Sequence, residues 1–518
     1  MLPPFQNEPF SDFGQPEVRS AMLTALEGVE RGLGQAYPLI VGGQPVTTGQ
    51  TVASYNPSLK EQLVGSLAYA DRALAERALQ AAWQAFEGWS AVSMETRARP
   101  LLRAAALMRQ RKYQLCAWEV LEAGKPWAEA DGDVAEAIDF LEYYARQALH
   151  LAHRDALTPV VGEQNTMAYL PLGVGLIAPP FNFPLAILTG MAAAPIVTGN
   201  TVVIKATDRT PIIAALFTEI MAEAGLPPGV LNLLAGANDE VGDYLVDHPR
   251  TRFISFTGSR AVGLRIVERA ARHQEGQRWI KRVVAEMGGK DAIIVHHDAD
   301  LEAAAAAIVA SAFGFQGQKC SACSRAILLD GVYDETLERV VEGARKLAIG
   351  PAREQASAVG PVIDERAYRS ILSSIEVGRG EGRLVIGGRP APGLSDHGYF
   401  IEPTVVADVA PAAHLAQHEI FGPVLAVLRA RDLDHALHIA NDTAYGLTGS
   451  IYARDRVVLE RARREFHVGN LYLNRKSTGA LVGGHPFGGF DMSGTDSKAG
   501  GPDYLLQFVQ MKVTSERL

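Results

Sequence analysis

The stretch that decides the fold runs from Gly173 to Ala206 and reads GVGLIAPPFNFPLAILTGMAAAPIVTGNTVVIKA. Its first six residues predict a buried strand, and the proline-rich turn PPFNFP ends that strand. An apolar helix is predicted over 185–198, followed by a second buried strand over 201–206. A strand, a helix and a strand of these lengths predict a parallel, doubly wound sheet.

The same alternation continues along the chain. Thr210 and Pro211 open the next helix, as an N-cap residue followed by proline at the first helical position. Further strands are predicted at 231–234 and 253–256, with helices at 239–247 and 259–272. Sheets of this kind bind ligands at the carboxyl ends of their strands, so the loops that follow these strands are candidate binding loops.

The chain length of 518 residues exceeds what one hydrophobic core supports, and we expect two or three domains. Residues 1–155 and 172–295 are predicted to form an N-terminal arm, a helical block and the domain of the doubly wound sheet, for which a dinucleotide-binding turn is identified below. Residues 296–490 are predicted to form a second α/β domain, which contains the candidate nucleophile. The remaining segments, 156–171 and 491–518, are predicted to be oligomerisation strands.

Two segments, 158–170 and 507–513, have patterns typical of strands that project from the body of a protein. Exposed strand edges normally need a cover. We therefore expect a homo-oligomer built on dimers, either a dimer or a dimer-based hexamer.

The composition is that of an ordinary globular protein, with 47% hydrophobic and 21% charged residues. A net charge of −9 argues against a surface that tracks nucleic-acid phosphates. No run of about 18 apolar residues predicts a membrane span. The three cysteines form no disulfide framework and residues 1–7 have no signal-peptide features, so we expect a cytoplasmic protein with no nucleic-acid or membrane partner.

The candidate nucleophile lies in residues 314–323, which read GFQGQKCSAC and follow a predicted alanine-rich helix over 301–313. The turn contains two glycines, and Cys320 lies in it between Lys319 and Ser321. A catalytic thiol needs a thiolate held in an electropositive, partly exposed pocket. The alternative interpretation is a pair of small buried hydrophobes, since free cysteine is among the most buried residue types.

The spacing of Cys320 and Cys323 also matches a metal-binding or redox motif. A structural zinc site needs four Cys or His ligands, and the sequence has no second CxxC pair. A thioredoxin-like pair is expected at a helix N-terminus after a strand, whereas this pair follows a helix. Both interpretations are weak, and no metal is expected.

Residues 256–263, FTGSRAVG, are the best candidate for a dinucleotide-binding turn. A strand ends there, Gly258 turns the chain, Ser259 is placed to cap a helix, and Gly263 lies one turn into it. Unpaired N–H groups at such a helix N-terminus can bind a pyrophosphate, although ordinary capping would also explain the pattern. The string GxGxxA at 173–178 is discounted, because it lies within a strand.

Lys205 and Asp208 follow the carboxyl end of another predicted strand, where a ribose would lie. Both side chains can hydrogen-bond ribose hydroxyls, and a carboxylate disfavours a 2′-phosphate. A solvated surface pair is the alternative.

Seven stretches resemble motifs of the aldehyde dehydrogenase superfamily, in the order in which that family has them, and the resemblance covers nearly the whole chain. They are PFNFP at 180–184, VIK at 203–205, FTGS at 256–259, EMGGK at 286–290, GQKC at 317–320, EIFGP at 419–423 and PFGG at 486–489. The resemblance implies an α/β fold with a Rossmann-like doubly wound NAD-binding domain, an α/β catalytic domain and a small flap of oligomerisation strands.

The resemblance also implies roles for individual residues. Cys320 would be the nucleophile that forms a thioester, Asn182 and the backbone N–H of Cys320 would stabilise the oxyanion, and Glu286 would activate water. The implied cofactor is NAD, with contacts from Lys205, Asp208, Gly258, Ser259, Gly263, Glu419 and Phe421. The chain has Lys-Ala-Thr-Asp at 205–208 where the family often has Lys-Pro-Ser-Glu, and the shorter carboxylate leaves NADP as an alternative.

Four further stretches resemble the branch of the superfamily that oxidises L-glutamate γ-semialdehyde to L-glutamate in the last step of proline catabolism. They are GQKCSACS at 317–324, KSTGA at 476–480, GTDSK at 494–498 and GGP at 500–502. By this resemblance Gly479 and Ala480 would hold the substrate α-carboxylate with help from Ser321, and Phe183 and Phe487 would enclose its aliphatic chain. A glycine-rich loop can form such an anion-binding nest, although it can also be an ordinary flexible loop.

Three alternatives stay open at this point. The enzyme could oxidise another carboxylated aldehyde, such as succinate semialdehyde, with NAD or NADP. It could acylate CoA, although Glu286 argues against that because such enzymes do not need activated water. The chain could also be a non-catalytic scaffold, although a scaffold has no physical need for Asn182, Glu286 and Cys320 together.

Overall fold

A computed structural model describes residues 2–153 and 157–518. Its α-helices are α1 (Pro16–Glu30), α2 (Arg72–Ala91), α3 (Met94–Gln110), α4 (Lys112–Ala123), α5 (Trp127–Ala152), α6 (Ala186–Val197), α7 (Pro211–Glu223), α8 (Asp243–Asp247), α9 (Arg260–Ala271), α10 (Leu301–Phe313), α11 (Tyr333–Arg345), α12 (Glu365–Arg379), α13 (His414–Gln417), α14 (Leu433–Asn441) and α15 (Arg456–Glu465). The predicted domain boundary at 155/156 lies outside the described residues, and the domain division stays a prediction.

The strands are β1 (Gln35–Tyr37), β2 (Leu39–Val41), β3 (Gln44–Val46), β4 (Thr51–Tyr55), β5 (Leu63–Ala68), β6 (Glu163–Pro171), β7 (Val174–Ala178), β8 (Thr201–Lys205), β9 (Leu231–Leu234), β10 (Phe253–Thr257), β11 (Arg282–Glu286), β12 (Asp291–Val295), β13 (Cys323–Leu329), β14 (Arg383–Ile386), β15 (Thr404–Ala407), β16 (Val424–Ala430), β17 (Tyr445–Gly446), β18 (Thr448–Tyr452), β19 (Asn470–Leu473), β20 (Phe490–Asp491) and β21 (Val509–Arg517).

The first large sheet has the strand order β11-β10-β7-β8-β9-β2-β3, and its first five strands are parallel. This confirms the parallel sheet predicted from residues 173–206. Strands β7 to β10 are almost entirely buried, which is expected where helices cover both faces of a parallel sheet. Gly175 is needed in β7 because a β-carbon there would overlap the ring of Phe253 on β10.

The second large sheet has the order β14-β15-β16-β13-β12-β18-β19 and is parallel except for β14. It has its own buried apolar cluster, to which α10, α11 and α14 contribute, while a separate cluster surrounds the first sheet. Two cores agree with the expectation from chain length.

Strands β6 and β21 pair antiparallel along their whole length and form a two-stranded flap. The predicted strand segments are therefore present, and they pair with each other within one chain. The second predicted segment, 507–513, begins two residues too early, because Tyr504–Phe508 forms a 3₁₀ turn and β21 begins at Val509.

Two local predictions are confirmed in position but differ in detail: Thr210 is the N-cap residue of α7 with Pro211 as its first helical residue, and residues 239–247 are helical. In the described part of the chain, the Thr210 hydroxyl makes no hydrogen bond; both oxygens of buried Glu122 accept from the N–H groups of Ile212 and Ile213, at 2.8 and 2.9 Å. The carboxylate of Glu122, which lies on α4, thus caps the N-terminus of α7. The helix predicted over 239–247 is a π-turn followed by the short helix α8.

Every helix among the described residues is too short or too polar to cross a lipid bilayer.

Candidate active site

The predicted catalytic residues come from three different loops and strand ends. Asn182 follows β7, Glu286 is the last residue of β11, and Cys320 lies just before β13. Asn182 is buried, and its Nδ2 donates to the carbonyl of Gln318 at 3.0 Å, two residues from Cys320. The carboxyl ends of the first sheet therefore meet the loop that enters the second sheet.

The loop before Cys320 has an unusual backbone. Phe315 and Gln316 have positive φ angles of 47° and 55°, a conformation that costs non-glycine residues about 1–3 kcal/mol each. Gln316 is held because its Nε2 donates to the carbonyls of Gly124 and Pro361, at 3.1 and 2.8 Å. Contacts from both cores thus keep the thiol-bearing loop in place.

The charged groups that act on the Cys320 thiol are carboxyl groups, and the adjacent Lys319 is engaged in an ion pair. Lys319 pairs with Glu129, with Nζ 2.6 Å from a carboxylate oxygen. Burial, followed by the carboxyl groups of Asp291, Glu419 and Glu286, raises the pKa of the Cys320 thiol well above its usual value. These carboxyl groups come from distant parts of the chain, so the residues next to Cys320 in the sequence do not indicate them.

Glu286 has two differently placed carboxylate oxygens. Oε1 accepts from Ser497 Oγ at 2.6 Å and from Ser497 N at 3.4 Å. Oε2 is buried and, among the described residues, has no hydrogen-bond partner. Burial raises the pKa of Glu286 to about 7, against the opposing effect of the Ser497 hydrogen bonds. A carboxyl group with a pKa near neutrality suits proton transfer at physiological pH.

Glu419 packs against the two glycines that follow Glu286. Its Oε1 accepts from Gly289 N at 3.3 Å, and a β-carbon on Gly288 would overlap its carboxylate. Burial raises the pKa of Glu419 to about 7. Phe421, at φ 58°, places its ring edge-on to Phe181 with centroids 5.8 Å apart. The EIFGP loop therefore lies against the cysteine-bearing side of the site.

Lys205 and Asp208 form a loose pair at the end of β8, with Nζ and Oδ1 3.6 Å apart. Lys205 Nζ also donates to Asn238 Oδ1 at 2.7 Å. Burial lowers the pKa of Lys205. Asn238 was missed in the sequence because no motif marks the π-turn that carries it.

The N-terminus of α9 lies where the sequence predicted it, with Gly263 one turn into the helix. Ser259 is the N-cap residue, but among the described residues its side chain makes no capping hydrogen bond. Gly263 is buried, and a β-carbon there would overlap Met287, so this glycine permits close packing of α9 on the sheet. The Gly258 N–H donates to the carbonyl of Glu286 at 3.0 Å.

Residues 476–480, called the anchor loop from here on, are attached to the residue after Cys320. Ser477 Oγ donates to the Ser321 carbonyl at 3.2 Å, and Ser477 N donates to Ser311 Oγ at 3.3 Å. Gly479 has a φ of 76° and is exposed, whereas Ala480 is half-buried. Phe183 and Phe487 are both half-buried. The predicted carboxylate-binding loop thus lies beside the candidate nucleophile.

The sequence pattern that defines the aldehyde dehydrogenase family matches residues 45–514. The chain belongs to the aldehyde dehydrogenase family. It is similar to the 1-pyrroline-5-carboxylate dehydrogenases of Geobacillus thermodenitrificans, at 58% identity over 100% of both chains, and of Bacillus subtilis, at 53% over 99% of both. The crystal structure of 1-pyrroline-5-carboxylate dehydrogenase from Thermus with bound NAD matches with a TM-score of 0.98 and 53% identity over 100% of both chains.

A buried ion pair and its aromatic contacts lie next to the active site of this aldehyde dehydrogenase, and no sequence motif indicated them. Lys125, which is fully buried, pairs with Asp133 and lies over the rings of Phe183 and Phe315, with Nζ 4.2 and 5.0 Å from the centroids. Asp133 also accepts from Ala186 N at 2.6 Å. Lys125 therefore joins the loop of Asn182 to the loop of Cys320.

Segment 491–518, predicted to serve oligomerisation, begins at the active site of this aldehyde dehydrogenase. Ser493 O accepts from Met287 N at 2.7 Å, and Ser497 contacts Glu286. The reason is that β11 is an edge strand of its sheet, and this segment supplies partners for its free backbone groups.

Proposed function

We propose that this chain is a 1-pyrroline-5-carboxylate dehydrogenase, which oxidises L-glutamate γ-semialdehyde, the open form of pyrroline-5-carboxylate, to L-glutamate with NAD. The observation that carries the proposal is the hydrogen bond from Ser477 in the anchor loop to Ser321 beside Cys320. It puts a candidate carboxylate-binding nest next to a candidate nucleophile. The full-length similarity to enzymes of that name supports the same substrate.

In the proposed reaction, the Cys320 thiol loses its proton to solvent, and its sulfur adds to the aldehyde carbon to form a thiohemiacetal. Asn182 Nδ2 carries two hydrogens, one of which is donated to Gln318, so the other is available for the oxyanion together with the backbone N–H of Cys320. Such donors each stabilise developing charge by roughly 3–4 kcal/mol.

Bound NAD would accept the hydride that leaves the substrate carbon. Glu286 then takes a proton from water as the water oxygen attacks the thioester carbon. The carbon–sulfur bond breaks, and glutamate and the free thiol of Cys320 result. Glu286 Oε2 is suited to this role because its other oxygen is already engaged with Ser497.

The residues present fit a dinucleotide. The first-turn N–H groups of α9 have no intrahelical acceptor, which suits a pyrophosphate near Gly258 and Ser259. Lys205 and Asp208 offer a donor and an acceptor for ribose hydroxyls, and the Asp208 carboxylate favours NAD over NADP. Glu419 offers a carboxylate near the nucleophile for a second ribose.

Substrate preference tests the proposal directly. The kcat/KM for glutamate semialdehyde with NAD is expected to exceed those for succinate semialdehyde and for pentanal, which lacks any carboxylate. Replacing Gly479 with proline removes one anchor N–H and also reshapes the anchor loop, because proline cannot adopt the φ of 76°. The kcat/KM for glutamate semialdehyde is expected to fall at least about tenfold, since one hydrogen bond to a charged group is by itself worth about 1.5–3 kcal/mol. The value for pentanal is the control and should change little. A higher kcat/KM for succinate semialdehyde would contradict the assignment.

We also propose that the flap of β6 and β21 joins subunits in pairs. One face of the flap is apolar, with Met511 opposite Tyr169 and Val513 opposite Met167. Met511 and Val513 are 55% and 49% exposed, and a two-stranded sheet with an exposed apolar face is marginal unless covered.

Light scattering at micromolar concentration is expected to show at least two chains per particle. The double variant Met511→Lys, Val513→Lys should shift the mass toward one chain, because four charges would face each other or solvent in a pair. Lys512→Met alters the opposite face and serves as the control. A monomeric native protein would refute this part of the proposal.

A cytoplasmic location is also proposed. All three cysteines are free thiols, and a reducing compartment would preserve Cys320 as a nucleophile.

A further inference from the structure

Glu286 lies against residues 493–498, which we call the base-holding loop. Thr495 N donates to the Ala285 carbonyl at 2.9 Å, and Thr495 Oγ1 accepts from Ala285 N at 3.1 Å. With the hydrogen bond from Met287 N to Ser493 O, the loop is paired with the backbone on both sides of Glu286. Its position relative to the carboxylate is therefore set by main-chain contacts.

Ser497 in this loop is buried and makes the short contact with Glu286. Its hydroxyl lies 2.6 Å from Oε1 and its backbone N lies 3.4 Å from the same oxygen. Hydrogen bonds donated to a carboxylate favour its ionised form and fix its orientation. The second oxygen, Oε2, stays without a partner among the described residues.

The backbone on either side of Ser497 is strained. Asp496 and Lys498 have φ angles of 50° and 53°, which non-glycine residues seldom adopt. Lys498 is held in place because its Nζ donates to the carbonyls of Gly469 and Gly488, both at 2.8 Å. Strain of this kind persists where the surroundings determine the conformation, and here it aims Ser497 at the carboxylate.

Three other titratable groups face Glu286. The Lys498 ammonium, from the base-holding loop, lowers the pKa of Glu286. The Cys320 thiol comes from the loop before β13, and the Tyr504 phenol comes from the turn before β21; the carboxylate raises the pKa of both. Burial is thus the main effect that disfavours the ionised carboxylate, and the Ser497 hydroxyl is the side-chain hydrogen-bond donor that opposes it, together with the Gly489 backbone and Lys498.

We propose that Ser497 is a positioning residue for the general base: it holds Glu286 Oε1 and leaves Oε2 to take the proton from water. This inference rests on the base role proposed for Glu286. It does not depend on which aldehyde the enzyme oxidises.

The test uses p-nitrophenyl acetate, an activated ester that acylates Cys320 and needs neither aldehyde nor cofactor. After the initial burst of p-nitrophenol, the steady-state rate reports hydrolysis of the acetyl thioester. Because Glu286 must be ionised to accept a proton, this rate falls as pH drops through its pKa. In Ser497→Ala the acidic limb of the pH profile is expected to move up by about 1–2 pH units, since a charge-assisted hydrogen bond is lost.

The burst amplitude should be unchanged in that variant, because acylation does not need the base. Ser497→Thr keeps the hydroxyl and should keep the native limb. Ser493→Ala is the matched control, since Ser493 Oγ accepts from Gly446 N in the same loop and does not contact the carboxylate. A structural role alone would lower the rate equally at every pH, and in both Ser497→Ala and Ser493→Ala.

An unshifted limb in folded Ser497→Ala would overturn the inference. If that variant does not fold, Ser497→Cys, with its weaker donor, is expected to shift the limb in the same direction, and no shift would have the same meaning. Failure of the substrate proposal would show separately, as a native enzyme that hydrolyses the ester but does not prefer glutamate semialdehyde.

Discussion

Replacing Cys320 with alanine is expected to lower NAD-dependent aldehyde oxidation by at least about 10⁴-fold, because the variant lacks the thiol proposed to form the covalent adduct. The measurement is NADH formation with glutamate semialdehyde, together with the NAD dissociation constant. The second value should change little, since the thiol is not one of the proposed cofactor contacts.

Cys323→Ala is the matched control for this variant. The Cys323 thiol is fully buried, and its contact is with the Arg325 carbonyl at 3.4 Å. Cys320, by contrast, is only partly buried, so a substrate can reach its thiol but not that of Cys323. We expect the control to keep most of its activity. Substantial turnover by Cys320→Ala would exclude the nucleophile assignment. A native protein without any turnover would instead favour the scaffold alternative.

Glu286→Gln is expected to separate the two halves of the reaction. Glutamine has nearly the same shape but cannot accept a proton, so thioester hydrolysis should slow by about 10²–10⁴-fold. Hydride transfer precedes that step, and rapid mixing should therefore show about one NADH per active site, followed by very slow turnover.

The native enzyme should also lose kcat as pH falls below about 7, because the Glu286 carboxylate, whose pKa is raised to about 7, becomes protonated. That limb should be absent in Glu286→Gln. Glu122→Gln is the control, since Glu122 is a buried carboxyl with a pKa also raised to about 7 that caps α7. Loss of the NADH burst in Glu286→Gln, with NAD binding intact, would contradict a role confined to hydrolysis.

Much of the architecture could be predicted from local sequence. The strands and helices from 173 to 272 lie within a few residues of their predicted bounds, apart from the π-turn that begins the segment predicted over 239–247. Strand and helix periodicity depends on residues close in the chain, which explains this agreement. The capping of α7 was not predictable in this way, because Glu122 is 90 residues from Ile212.

The sequence motifs also identified candidate catalytic residues that the tertiary structure brings close together. Asn182 and Cys320 are in neighbouring loops, as shown by the hydrogen bond from Asn182 to Gln318. Lys125 and Ser497 could not be found, because a lysine in a helical block and a serine in a polar loop have no pattern of their own. Their significance appears only when their partners are known.

The sequence by itself determined the alternating strands and helices, the family and the identity of the candidate nucleophile, since these are encoded in residue order and turn chemistry. Only the tertiary structure decided the charge around that thiol and the two unlike environments of the Glu286 oxygens. The physical reason is that burial and electrostatic interactions depend on distance in space, and here the interacting groups are separated by up to 211 residues in the chain.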